Sequence, residues 1–200
     1  FTGSAVTQGA QSKGCFVNIK HYAFNDQEGD RSGIAVFMNE QTAREMELRN
    51  FQQAFEAGGK PASFYEDESK SDEYTVGALG VMTSFNRIGA TAPSANKGAC
   101  VDILRDEWDF NGYSVTDFTG VAPKAAPKES ILYNTTAFCG FGVSVDYWED
   151  EYFAHDADMC AAIKANLKYI LYPLVNSAAM NGQNITSHRV ELDTPWRALN

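Results

Sequence analysis

Basic residues are scarce in this 200-residue chain: 16 lysines and arginines stand against 26 acidic residues, for a net charge of −10. Phosphate backbones are held by basic surface, and no basic cluster stands out, so nucleic acid is excluded as a partner. Long apolar runs are lacking as well. The longest, Tyr169–Val175, is interrupted by Pro173 and falls far short of the roughly 20 residues that span a bilayer. Only three histidines occur (His21, His155 and His188), without HxH or HExxH spacing, and the acidic segments lack an EF-hand pattern. No metal or other cofactor is therefore expected. The four cysteines, Cys15, Cys100, Cys139 and Cys160, form no CxxC pair. They read as buried free thiols, a usage that leans cytoplasmic. What is present, 44% apolar and 21% charged residues, is ordinary for a globular chain.

Residues 15–19 and 78–84 read as short buried strands, and Tyr113–Thr116 as a third that ends at Asp117. A helix from about Glu40 to Ala57 separates the first two, with Asn39 as N-cap and Ala43, Met46, Phe51, Ala54 and Phe55 as its apolar stripe. A second helix, Ala95 to Trp108, separates the next two, and Asn111-Gly112 reads as its left-handed stop. Strand, helix, strand, helix, strand argues for an α/β fold with parallel strands and right-handed crossovers. Polar residues gather at the carboxyl ends of those strands, making Lys20, His21, Asn86 and Asp117 neighbours in space. Barrels of this class place their catalytic groups there. Residues 1–13 read as a loop, residues 120–150 as a loop excursion with a small hairpin (131–133 with 143–145), and Asp158–Met180 as a helix kinked near Pro173. Glu66–Glu73 reads as a solvated acidic loop, and Tyr147, Trp148, Tyr152 and Phe153 as core aromatics more than sugar-stacking ones. Asn134 and Asn184 carry sequons.

Four segments resemble the motifs of glycoside hydrolase family 3, which includes β-glucosidases and β-xylosidases. They are Lys20-His21-Tyr22 with Asn25 to Glu28 and Arg31; Met82-Thr83-Ser84-Phe85-Asn86-Arg87; Asp102 to Arg105 with Trp108 and Gly112; and Thr116-Asp117-Phe118. They stand in the family's order over about residues 9–120, and residues 121–200 match more loosely. The resemblance implies that Asp117 is the nucleophile and that Lys20 and His21 bind hydroxyls of the cleaved sugar. Met82, Phe85 and Phe118 would line the same subsite. Phe85 and Phe118 stand where the family commonly has Tyr and Trp. The β-N-acetylglucosaminidase branch is disfavoured, because no histidine lies in the loop after Lys20-His21.

A complete (β/α)8 barrel takes roughly 250 residues, and the Lys20-His21 motif belongs about midway round the family barrel. The resemblance therefore implies roughly the second half of such a barrel. The general acid/base would be a Glu in a separate α/β domain, and Asn176–Gly182 resembles members whose domain order is permuted. The expected partners are a glycoside substrate, the remainder of the same polypeptide and, for the isolated piece, further copies of itself. Two rival readings are a sugar-binding barrel that has lost catalysis, and an unrelated α/β-barrel lyase or aldolase using Lys20 as a Schiff base.

Overall fold

The computed structural model describes residues 2–11, 15–56, 77–118, 126–140 and 155–175. Along the chain these form α1 (Thr2–Gln11), β1 (Asn18–Tyr22), β2 (Ala35–Val36), α2 (residues 40–55), β3 (Gly80–Thr83), β4 (Arg87–Ile88), a 3-10 turn (Pro93–Ala95), α3 (Gly98–Glu107), β5 (Tyr113–Val115), α4 (Pro127–Leu132) and α5 (Ala157–Val175). The main sheet has the order β1-β3-β5 and is parallel throughout. Parallel neighbours need a crossover, and α2 and α3 supply the two. The repeat runs on after β5. Beyond α4, Ala137 forms a parallel bridge to Val115, with the Thr116 N–H donating to the Ala137 carbonyl and the Ala137 N–H to that of Ser114. A second, two-residue parallel pairing joins β2 to β4.

The core lies between the sheet and its crossovers. Leu48 and Phe55 of α2 and Leu104 of α3 pack with Tyr22, Val81, Trp108 and Phe110. Burying each such side chain contributes about 1.5–3 kcal/mol. Tyr22 is enclosed completely, edge-on to Phe51 at 5.2 Å and Trp108 at 6.2 Å, and its hydroxyl donates to the Ala99 carbonyl at 2.9 Å. Gly112 is required by close approach: a Cβ there would overlap the backbone of Leu79.

Several expectations need correction. Residues 2–11 are helical, not a loop. Ser4 donates to the Gln53 carbonyl and Gln11 to that of Gly77, so tertiary contacts to α2 and its neighbourhood override a Gly- and Ser-rich composition. The first strand is Asn18–Tyr22, later than expected, which puts Lys20 and His21 inside it. Met46 is 67% exposed and Leu48 is buried in its place. Residues 43–48 form wide π-type turns, and that wider winding rotates the apolar stripe out of 3.6-residue phase. The left-handed residue after α3 is Asp109, at φ 49°, not Asn111 or Gly112. Ile131 and Leu132 are helical; Pro127 in the first turn and Glu129 behind it set α4 going against the β-propensity of those residues. Cys100 is buried, but Cys15 and Cys160 are exposed and Cys139 is intermediate; none of the four is in a disulfide. The second hairpin arm, Glu66–Glu73, the 147–153 aromatics, Asn184 and the Asn176–Gly182 ending lie outside the described residues.

Candidate active site

Strand register assembles the site. Lys20 pairs with Met82, and Met82 with Val115, so these three form one row across the sheet. The next pair is Tyr22 with Thr83, which leaves His21 as a bulge in β1. A bulged residue drops out of the ladder and its side chain is re-aimed. The peptide bonds Lys20–His21 and Tyr22–Ala23 are both cis. Asp117 follows two residues after Val115, continuing its alternation at the carboxyl end of the sheet.

The bulge brings His21 onto Asp117, with 3.3 Å from Nε2 to Oδ2. The carboxylate is 7% exposed and the imidazole 26%. Asp117 Oδ1 also accepts the Phe118 N–H at 2.8 Å, so both carboxylate oxygens are held. Burial pushes the His21 pKa below its ordinary value; the Asp117 charge opposes that, while Lys20 and Arg31 reinforce it. His21 is thus neutral at pH 7, and its Nε2–H tautomer is the one that donates to Asp117.

The tip of β3 carries Ser84, Phe85 and Asn86, all buried. Phe85 lies beneath Arg31, whose guanidinium carbon stands 4.4 Å from the ring centroid, so little of that ring is open to a ligand. Phe118, beside Asp117, is 41% exposed, Met82 is half-buried and Lys20 is exposed. Of the four residues expected to meet, His21 and Asp117 touch, and Asn86 holds the backbone just beyond His21. Arg31 is the residue that sequence reasoning left without a role. It pairs with Glu28 at 3.0 Å, lies over Phe85 and adds its field at His21. Its place in the segment that follows Lys20-His21 was the signal available. Among the described residues no three His, Cys, Asp or Glu side chains group as a metal site, and no helix is long and apolar enough to cross a membrane.

This arrangement offers one buried, oriented carboxylate with a neutral imidazole donor, a cation and an aromatic around it. It can deliver a carboxylate oxygen to an electrophilic carbon while hydrogen-bonding the hydroxyls of a polar ligand.

No family model matches the chain. By sequence it is 30% identical over 116 residues to a β-glucosidase of Rhizobium radiobacter and 33% identical over 117 residues to probable β-glucosidase K of Emericella nidulans. Each match covers 58% of this chain, and the chain spans 12% of the length of either relative. By fold it is similar to the GH3 β-glucosidase of Bifidobacterium adolescentis, with a TM-score of 0.68 at 19% identity, covering 95% of this chain and 25% of that one.

Proposed function

We propose, for a chain related to the β-glucosidases of glycoside hydrolase family 3, that the protein is a retaining exo-acting β-glycosidase acting on glucoside- or xyloside-type substrates. The described sheet is then an arc of a (β/α)8 barrel, and residues 1–200 contribute the nucleophile and part of the sugar subsite to a larger enzyme. The observation that carries this reading is the buried Asp117 carboxylate at a strand tip in contact with His21.

In this mechanism Asp117 attacks the anomeric carbon as the glycosidic bond breaks, and a carboxylic acid from elsewhere in the polypeptide protonates the leaving oxygen. Water, deprotonated by that same group, then hydrolyses the glycosyl ester and regenerates the Asp117 carboxylate. Two held oxygens and low exposure keep Asp117 poised without competition from bulk water. Lys20 and His21 hydrogen-bond sugar hydroxyls. With Nε2–H donating to Asp117, the Nδ1 of a neutral His21 can accept from a sugar hydroxyl, which an imidazolium could not do. The relatives' activity weighs against the Schiff-base alternative at Lys20.

The test is covalent trapping. A 2-fluoro-glycoside should label Asp117 in the full-length protein, and Asp117→Ala should lower kcat by at least about a thousandfold while leaving the circular-dichroism spectrum unchanged. Labelling of another carboxylate would remove Asp117 from this role.

A further inference from the structure

His21 owes its position to a bulge, and nothing in the ladder itself holds a bulged residue in place. The restraint comes from the three residues that follow. The Ser84 N–H donates to the Tyr22 carbonyl at 2.8 Å, and the Ser84 hydroxyl to the Ala23 carbonyl at 2.7 Å. Asn86 Nδ2 donates to the Ala23 carbonyl at 3.2 Å and to the Phe24 carbonyl at 2.7 Å. Three consecutive carbonyls are thereby gripped by the tip of β3. Phe24 sits at φ 66°, a left-handed conformation costly for a residue with a Cβ, so the turn needs that grip. Asn86 is 1% exposed, and its Nδ2 donors are spent on this backbone rather than on the open face of the site.

We propose that Asn86, assisted by Ser84, is a positioning residue: its amide locks the left-handed turn after the His21 bulge and so sets the imidazole against Asp117. The inference deepens the glycosidase reading and rests on it for its catalytic consequence, though not for its geometry. The chemistry requires an amide at this place. One short side chain must direct two N–H bonds to two carbonyl oxygens, which a carboxylate or a hydroxyl cannot do. Around His21 the charged groups are Asp117, Lys20, Arg31 and Glu28, and the proposal leaves all of them unchanged.

The experiment uses the full-length protein with Asn86→Ala, Ser84→Ala and a control, Ser130→Ala. Ser130 is a fully buried hydroxyl that donates to Ser94 Oγ in the packing of α4 against the 3-10 turn. Asn86→Ala should lower kcat/KM by about a hundredfold, the scale of an ångström's misplacement of a reacting group. Ser84→Ala should show a smaller loss. The acid limb of the pH–rate profile should move upward, because releasing His21 into water relieves the burial that depresses its pKa. Ser130→Ala should match the thermal destabilisation but move neither rate nor profile. In crystals, Asn86→Ala should widen the His21–Asp117 contact beyond hydrogen-bonding distance, a readout that does not depend on catalysis. An unchanged contact, or a pH profile shifted equally by Ser130→Ala, would overturn the proposal. Asp117→Ala with full activity would instead defeat the glycosidase reading and leave the crystallographic arm standing.

Discussion

Arg105 shows how one residue can knit several elements together. It is a buried guanidinium whose mapped partners are carbonyls and rings: Nη1 donates to the carbonyls of Phe110 (2.6 Å) and Gly112 (2.7 Å), and Nη2 to that of Asn134 (3.3 Å). Its carbon lies 3.8 Å from the Tyr169 ring centroid and 4.8 Å from that of Phe110. Burial pushes its pKa down to about 10, so it stays charged at neutral pH. Arg105→Met would strip hydrogen bonds from three carbonyls at once and should cost about 2–4 kcal/mol in urea unfolding of the full-length protein. Arg105→Lys should recover little, since a single ammonium cannot reproduce the planar fork or its stacking. A loss under about 0.5 kcal/mol for Arg105→Met would show that these bonds are not carrying the junction. At this scale the sequence was readable where chemistry and position coincided: Asp117 ends a strand, and Lys20-His21 sits near the end of another. It was unreadable where a side chain's partners are distant carbonyls. Nothing local in Asn86 or Arg105 says which backbone turns toward it.

At the scale of elements, Glu47 on α2 and Asp26 in the loop after β1 form a carboxyl–carboxyl contact. Burial, then the hydrogen bond that protonated Glu47 donates to Asp26 and the Asp26 charge, raise the Glu47 pKa to about 7. The folded chain therefore binds more protons than the unfolded chain between the ordinary carboxyl range and pH 7. Stability from this pair is present at pH 5 and is lost as pH rises through about 7. Glu47→Gln mimics the protonated form. Its melting temperature should equal that of the wild type near pH 5 and exceed it at pH 8, as scanning calorimetry at the two pH values would reveal. A constant difference would mean that the two carboxyls do not share a proton. The loop so tethered carries Arg31 and Glu28, which links this contact to the site. Element order, strand direction and both crossovers were legible, because periodicity and helix caps are local signals; Asn39 does cap α2, accepting the Thr42 N–H at 2.8 Å. The phase of α2 was not, since π-type winding at residues 43–48 is visible only once packing has chosen it. Nor was α1, whose hydrogen bonds go to residues about 50 to 66 positions away.

For the molecule as a whole, the proposed chemistry asks for more than the described residues display. The proposed retaining mechanism needs a second carboxyl group roughly 5 Å from Asp117. Among the described residues, Glu28 is the other carboxylate whose charge reaches His21, and it is engaged by Arg31 and by the amide of Asn25. The chain spans 12% of the length of each of these relatives. Apolar surface points the same way. Within the described sheet β1 has a partner on one side only, and Leu167, Ile170, Leu171 and Leu174 of α5 all stand exposed. Open strand edges and apolar helix faces associate with whatever chain can cover them. Residues 1–200 prepared alone should therefore hydrolyse no nitrophenyl glycoside above background, and sedimentation velocity should show concentration-dependent self-association. Leu167→Glu together with Leu174→Glu should reduce that association without producing turnover, because the second carboxyl group and the exposed face are separate requirements. A monodisperse monomer that cleaves the substrate, and loses that activity on Asp117→Ala, would show that this chain carries its own acid/base group.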